Sequence, residues 1–143
     1  MSCIHRSKKV IAAILGSGLL LTACSTISKF DQYAYTQTTS LKVDVLSVMD
    51  RATESYPAHQ AQAAGLKTSL DKMYEYEKNR PKNAVSQKMW SVITDSAGHL
   101  YGGFVKRWEK EDKLDTAFIR ISKELVGQSF DQISQLESGK IKP

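Results

Sequence analysis

From Phe30 onward, apolar residues recur at alternating steps of three and four, the spacing of amphipathic helices and not of strands. Four helices are expected. The first covers about residues 29–55, with Phe30, Ala34, Thr38, Leu41, Val45, Val48, Ala52 and Tyr56 as one stripe and Ser28 with Asp31 as a capping pair. Pro57 suits the first turn of a second helix over about 58–79, whose face carries Ala63, Leu66, Leu70, Met73, Tyr74 and Glu77. Arg80-Pro81 ends it, because proline disfavours a helical residue before it. The third, capped by Asn83, has the stripe Val85, Met89, Val92, Ile93, Ala97, Leu100, Phe104 and Trp108. A turn at Asp95-Ser96-Ala97-Gly98 would split this helix in two, but the stripe runs on across it, so one helix, kinked at the glycines, is the preferred expectation there. Asp112 and Asp115 suit the start of the fourth, with Leu114, Phe118, Ile121, Leu125, Gln128, Ile133 and Leu136 as its stripe and Gly139 as C-cap. Helices of this length joined by short connections imply an all-α, antiparallel up-down four-helix bundle.

The first 23 residues do not follow this pattern. A basic stretch, His5-Arg6-Ser7-Lys8-Lys9, precedes an apolar run from Val10 to Leu21, the length of an export-signal core and too short to span a bilayer. The run ends in Leu21-Thr22-Ala23-Cys24, which resembles the bacterial lipobox. That resemblance implies diacylglyceryl transfer to the thiol, cleavage before Cys24 and acylation of the new amino group with fatty acid such as palmitate. Ser25 stands where lipoproteins of enterobacterial type kept in the inner membrane usually have Asp, which favours the outer membrane, facing the periplasm. The expected organisation is therefore a signal peptide (1–23), a lipidated Cys24 with a short tether (24–28) and a helical domain (29–143).

Processing changes what the composition says. The chain carries +5, but Arg6, Lys8 and Lys9 would leave with the signal, and the remaining 17 basic against 15 acidic residues give +2. That charge is too weak and too interspersed for nucleic-acid binding. Cys3 would be removed and Cys24 acylated, so the expected mature domain holds no disulfide and depends on its core.

Few constellations suggest chemistry. His59 and His99 offer only the pairing of Asp95 with His99, too few ligands for a metal. The acidic pairs Glu75/Glu77 and Glu109/Glu111 are two apart and do not face each other on a helix. No nucleophile elbow, P-loop or dinucleotide fingerprint occurs. Neither an enzyme nor a cofactor other than the covalent lipid is expected. The most unusual stretch is Gly98-His99-Leu100-Tyr101-Gly102-Gly103, where three glycines in six residues cost a helix roughly 1 kcal/mol each. Close packing explains it, or a groove in which Gly98, Tyr101, Gly102, Phe104 and Trp108 contact a partner. Tyr35, Tyr76 and Trp90 are candidates for an exposed binding face.

The short tether places the near end of the domain within roughly 20 Å of the bilayer. Up-down topology would bring Lys29, Arg80, Lys82, Lys140 and Lys142 to that end as candidate membrane-facing residues, each adding about 1 kcal/mol near an anionic surface. The expected function is a non-catalytic protein-interaction or assembly factor of the envelope, comparable in architecture to the small helical secretion pilotins. A small-ligand or lipid carrier with an inter-helix cavity is the alternative, predicting an apolar void near residues 98–104. An exclusion or inhibitory lipoprotein of a mobile element is a third.

Overall fold

The computed structural model describes residues 28–140. The signal segment, Cys24, the tether up to residue 27 and Lys142 lie outside the described residues, as do the expectations that rest on them. Among the described residues the fold is all-helical, 80% helix with no strands. It comprises α1 (Gln32–Met49), a 3-10 turn (Asp50–Thr53), α2 (Tyr56–Lys78), α3 (Ala84–Thr94), α4 (Tyr101–Glu111) and α5 (Thr116–Ser138). Helix α1 packs on α5 and α2, α2 on α3 and α4, and α3 on α5.

The α1 stripe is as the spacing implies. Ala34, Thr38, Leu41, Val45 and Val48 are buried, the Thr38 hydroxyl is satisfied by the Ala34 carbonyl at 2.7 Å, and Ala52 and Tyr56 continue the stripe beyond the helix. Asp31 is the N-cap, its Oδ1 accepting from the Ala34 amide at 2.9 Å. Ser28 does not share in the cap: its hydroxyl donates to Asn83 Oδ1, 55 residues away, at 2.8 Å. Asp115 caps α5 through the Phe118 amide at 2.8 Å, and Gly139 follows its last turn.

The single third helix is corrected to two. At Asp95 the backbone turns extended, and its carboxylate accepts from the Ala97 amide at 2.8 Å while its carbonyl accepts from Gly98 at 3.1 Å, closing a tight corner. Helix α4 then begins so close to the end of α3 that a Cβ on Gly102 would stand 2.4 Å from the Thr94 carbonyl, and one on Gly103 1.8 Å from the Gly98 carbonyl. Close approach of backbone, not a kink, explains these two glycines.

Two stripes are also corrected in phase. The core takes Ser86, Trp90 and Ile93 from α3, leaving Val85 57% and Val92 42% exposed. From α5 it takes Ile119, Ser122, Val126, Phe130, Ile133 and Glu137, leaving Ile121 and Leu125 about half exposed. In both helices the inner row contains polar residues and the outer row looks more apolar. Trp90, expected at the surface, is fully buried and meets the Phe130 ring edge-on at 5.7 Å.

Candidate functional site

At the end where the chain enters α1, four segments meet in a buried polar clamp. Glu77 from the last turn of α2 and Glu137 from the last turn of α5 are almost wholly buried. Arg80 lies between them, its Nη1 3.1 Å from Glu77 Oε1 and its Nη2 3.2 Å from Glu137 Oε1. The Lys140 side chain, 1% exposed, uses all three of its donors: on Glu137, on Asn83 Oδ1 at 2.8 Å and on Ser86 Oγ at 3.1 Å. Asn83 in turn gives its amide protons to the Glu77 carbonyl, at 3.0 Å, and to the Glu77 carboxylate. A buried charge cluster persists when every member is paired in this way.

The clamp grips the entering chain. Arg80 Nη2 donates to the Lys29 carbonyl at 2.7 Å, and the Asp31 amide donates to Glu137 Oε1 at 2.9 Å. Tyr76 completes the contact by donating its hydroxyl to Asp31 Oδ2 at 2.6 Å. Burial works against the Asp31 charge, yet the Tyr76 hydroxyl, the Ala34 amide and Arg80 outweigh it and hold the carboxyl below its ordinary value. The same hydrogen bond pushes the Tyr76 phenol up to about 12.

The clamp revises the set of membrane-facing candidates. Lys29, Arg80, Lys82 and Lys140 do gather at one end, but Arg80 and Lys140 are turned inward and neutralised by Glu77 and Glu137. Lys29 and Lys82 remain exposed. Lys82 also holds a left-handed backbone, φ 57°, in the turn between α2 and α3.

A second feature lies on the outer side of α3 and α5. Val85, Met89 and Val92 follow one another at four and three residues along α3, outside the core row. Lys88, Met89, Val92 and Leu100 face Ser129 and Gln132 of α5 across a shallow groove of about 170 Å³. Leu125, 46% exposed, is one turn before Ser129 on the same row.

The third feature is a cavity of about 290 Å³ between α2 and α4, walled by Tyr56, Ala63, Leu70, Tyr101, Gly102 and Val105. Of the five residues expected to line a groove, Tyr101 and Gly102 lie on this wall. Phe104 and Trp108 belong to the core: Trp108 meets Tyr56 edge-on at 5.4 Å and donates its indole N–H to the Glu54 carbonyl at 3.0 Å, and Phe104 stacks on Phe118 at 5.9 Å. Gly98 serves the corner after α3. Tyr35 and Tyr76 are half-buried, the latter in the clamp.

His59 pairs with Glu54 at 2.8 Å and lies near the Trp108 ring, whereas His99 is exposed in the corner. The hydrogen bond from His59 lowers the Glu54 pKa. Among the described residues no group of three or more His, Cys, Asp or Glu side chains is placed to hold a metal ion, and no helix is long and apolar enough to cross a membrane.

Sequence reasoning missed the clamp, although Glu77 on the apolar stripe of α2 was a sign of it. No protein-family model matches the chain, nor does any curated protein or solved structure.

Proposed function

We propose that this chain is a lipid-anchored, non-catalytic interaction protein of the cell envelope, carried on an acylated Cys24 at the periplasmic face of the outer membrane. In this reading α3 and α4 stand in series as the third rod of an antiparallel up-down four-helix bundle. From Cys24 to Ser28 the chain reaches at most roughly 14 Å. The clamp on Lys29 and Asp31 removes the slack that a free helix end would add, which keeps this end of the domain close to the bilayer. Among the described candidates, Lys29 and Lys82 are the side chains left to meet anionic headgroups.

The observation that carries the reading is the doubled apolar character of α3: one row fills the core, and the neighbouring row leaves Val85 and Val92 exposed, with Met89 and Leu100 half-buried against the core beside them and Leu125 exposed on α5. A helix apolar on two sides is built to be covered on both. The occupant we propose is an amphipathic helix of an envelope protein, laid along the α3–α5 groove with apolar anchors one turn apart. Lys88, which lines the groove and has no ion pair among the described residues, calls for an acidic residue beside those anchors.

Photo-crosslinkers placed at Val92 and at Leu125 in the lipidated protein in cells test this, with one at Gln62 on α2 as control. One shared adduct from the first two positions, lost with Met89→Asp while the circular dichroism is unchanged, is the expected result. Equal adducts from Gln62, or survival of the adduct in Met89→Asp, would overturn it.

A further inference from the structure

Tyrosine is unevenly placed in this domain. Of its six tyrosines, Tyr56 and Tyr101 are buried, and the four that reach the surface all lie at the end where the chain enters. Tyr33 and Tyr35 stand in the first turn of α1, and Tyr74 and Tyr76 near the close of α2. The rings that α3 and α5 carry toward the same end, Trp90 and Phe130, are fully buried. Tyr33 is 54% exposed, yet its position is braced: its ring lies 4.9 Å from that of Tyr76, which is itself fixed through its hydroxyl on Asp31. Beside the two rings is an open depression of about 510 Å³, lined also by Lys72 and Asn79. The hydroxyls of Tyr33, Tyr35 and Tyr74 make no hydrogen bond among the described residues.

Charge at this end is one-sided. Asp31, Glu77 and Glu137 are paired in the clamp, and Glu75 is paired with Lys78 at 3.1 Å. The side chains of Lys29 and Lys72 are exposed and have no ion pair among the described residues. Amphipathic rings with unpaired cations among them match the polar–apolar boundary of a bilayer, where tyrosine is enriched and basic side chains meet anionic headgroups.

We propose that the domain leans on the bilayer through its α1–α2 side, with Tyr33 and its neighbours seated at the headgroup level and Lys29 and Lys72 against lipid phosphate. The proposal rests on the acylated Cys24, because the shortness of that tether names the occupant. A chain that reaches at most roughly 14 Å is barely longer than one helix is wide, about 10–12 Å. No folded protein fits between this end and the lipid. The lean also decides what faces away. Helices α1 and α3 each pack on both α2 and α5, so the α1–α2 side is opposite the α3–α5 side. Lipid contact through the tyrosines therefore turns the α3–α5 groove toward the periplasm.

The test is fluorescence of the lipidated protein in vesicles of phosphatidylethanolamine and phosphatidylglycerol whose acyl chains are brominated near the headgroup. Trp90 and Trp108 are fully buried and supply a background that lipid does not reach. Tyr33→Trp and Val85→Trp each add an exposed indole at the tether end, one on α1 and one on α3. Tyr33→Trp is expected to lose at least half of the emission it adds, and Val85→Trp none. Lys72→Glu should halve the quenching of Tyr33→Trp while the circular dichroism is unchanged. Equal quenching of the two reporters, quenching of Val85→Trp alone, or indifference to Lys72→Glu would overturn the proposal. So would the absence of quenching in a protein that floats with the vesicles, which leaves the anchor intact. A protein that does not float overturns the anchor on Cys24 and the lean with it.

Discussion

Removing Lys140 from the clamp is the sharpest test of how the domain is held together. Lys140→Met keeps the length and apolar volume of the side chain but deletes an ammonium whose three donors are all in use. Before the change, the buried or half-buried charges are Asp31, Glu77 and Glu137 against Arg80 and Lys140. Afterwards Arg80 alone faces three carboxylates. Breaking a buried pair by removing one partner costs about 3–5 kcal/mol. The lower end applies here, because Glu137 keeps Arg80 and the Asp31 amide, and Asn83 Oδ1 keeps the Ser28 hydroxyl. A loss of ~3 kcal/mol lowers the melting temperature of a domain of this size by roughly 12 °C. Urea unfolding followed by circular dichroism at neutral pH measures it. The double variant Glu137→Gln with Lys140→Met removes one charge of each sign and should recover at least ~1 kcal/mol relative to the sum of the single changes. A Lys140→Met protein within about 0.5 kcal/mol of wild type, the range of an ordinary surface substitution, would refute the clamp. So would strict additivity of the two changes.

Other consequences follow from single positions. Gly103→Ala places a Cβ against the Gly98 carbonyl and should cost at least ~3 kcal/mol in a thermal melt; a loss under 1 kcal/mol would mean that the α3–α4 corner is not as tight as described. Lys82→Gly relieves a left-handed backbone at an exposed side chain and should stabilise by about 0.5 kcal/mol in urea, the relief outweighing the added freedom of the unfolded chain; destabilisation would contradict that conformation. Because the Tyr76 phenol is raised from 10.0 to about 12, its contribution is complete below pH 10 and is lost as pH climbs toward 12. Wild type should therefore lose about 1–2 kcal/mol more than Tyr76→Phe between pH 9 and 11.5, and equal losses would dismiss the Tyr76–Asp31 bond as the cause.

How far the fold was legible in the sequence depends on where polar residues sit. The stripes of α1 and α2 are read correctly because their inner rows are apolar apart from Thr38 and Glu77, and Thr38 is satisfied within its own helix. In α3 and α5 the inner rows include Ser86, Ser122 and Glu137, so the more apolar outer rows draw the phase away. What allows Ser86 and Glu137 inside is Lys140, and no local pattern announces a lysine that folds back three residues onto Glu137 and across to α3. The division of the third helix was visible as an alternative at Asp95–Gly98 but outweighed for a related reason. Apolar spacing continues across the corner, while the break rests on one carboxylate turning its own backbone and on glycines that admit a neighbouring chain.

The candidate sites were legible in part. The glycine-rich stretch points to a place where backbones approach, and the cavity wall does include Tyr101 and Gly102. The Tyr101 hydroxyl is buried without a hydrogen-bond partner, which depends on packing from α2 and has no signature in the sequence. Val85 and Val92 were visible as members of a stripe but assigned to the wrong side of their helix, whereas Met89 does pack against the core.

The most direct measurement of the central proposal is the intact mass of the protein extracted from envelope membranes, with fragmentation of its first peptide. A chain that begins at Cys24 and carries diacylglycerol on its thiol and an acyl group on its amine is the predicted result, lost together with membrane retention in Cys24→Ser. An unacylated chain, or one that keeps residues 1–23 or begins elsewhere, would contradict the account.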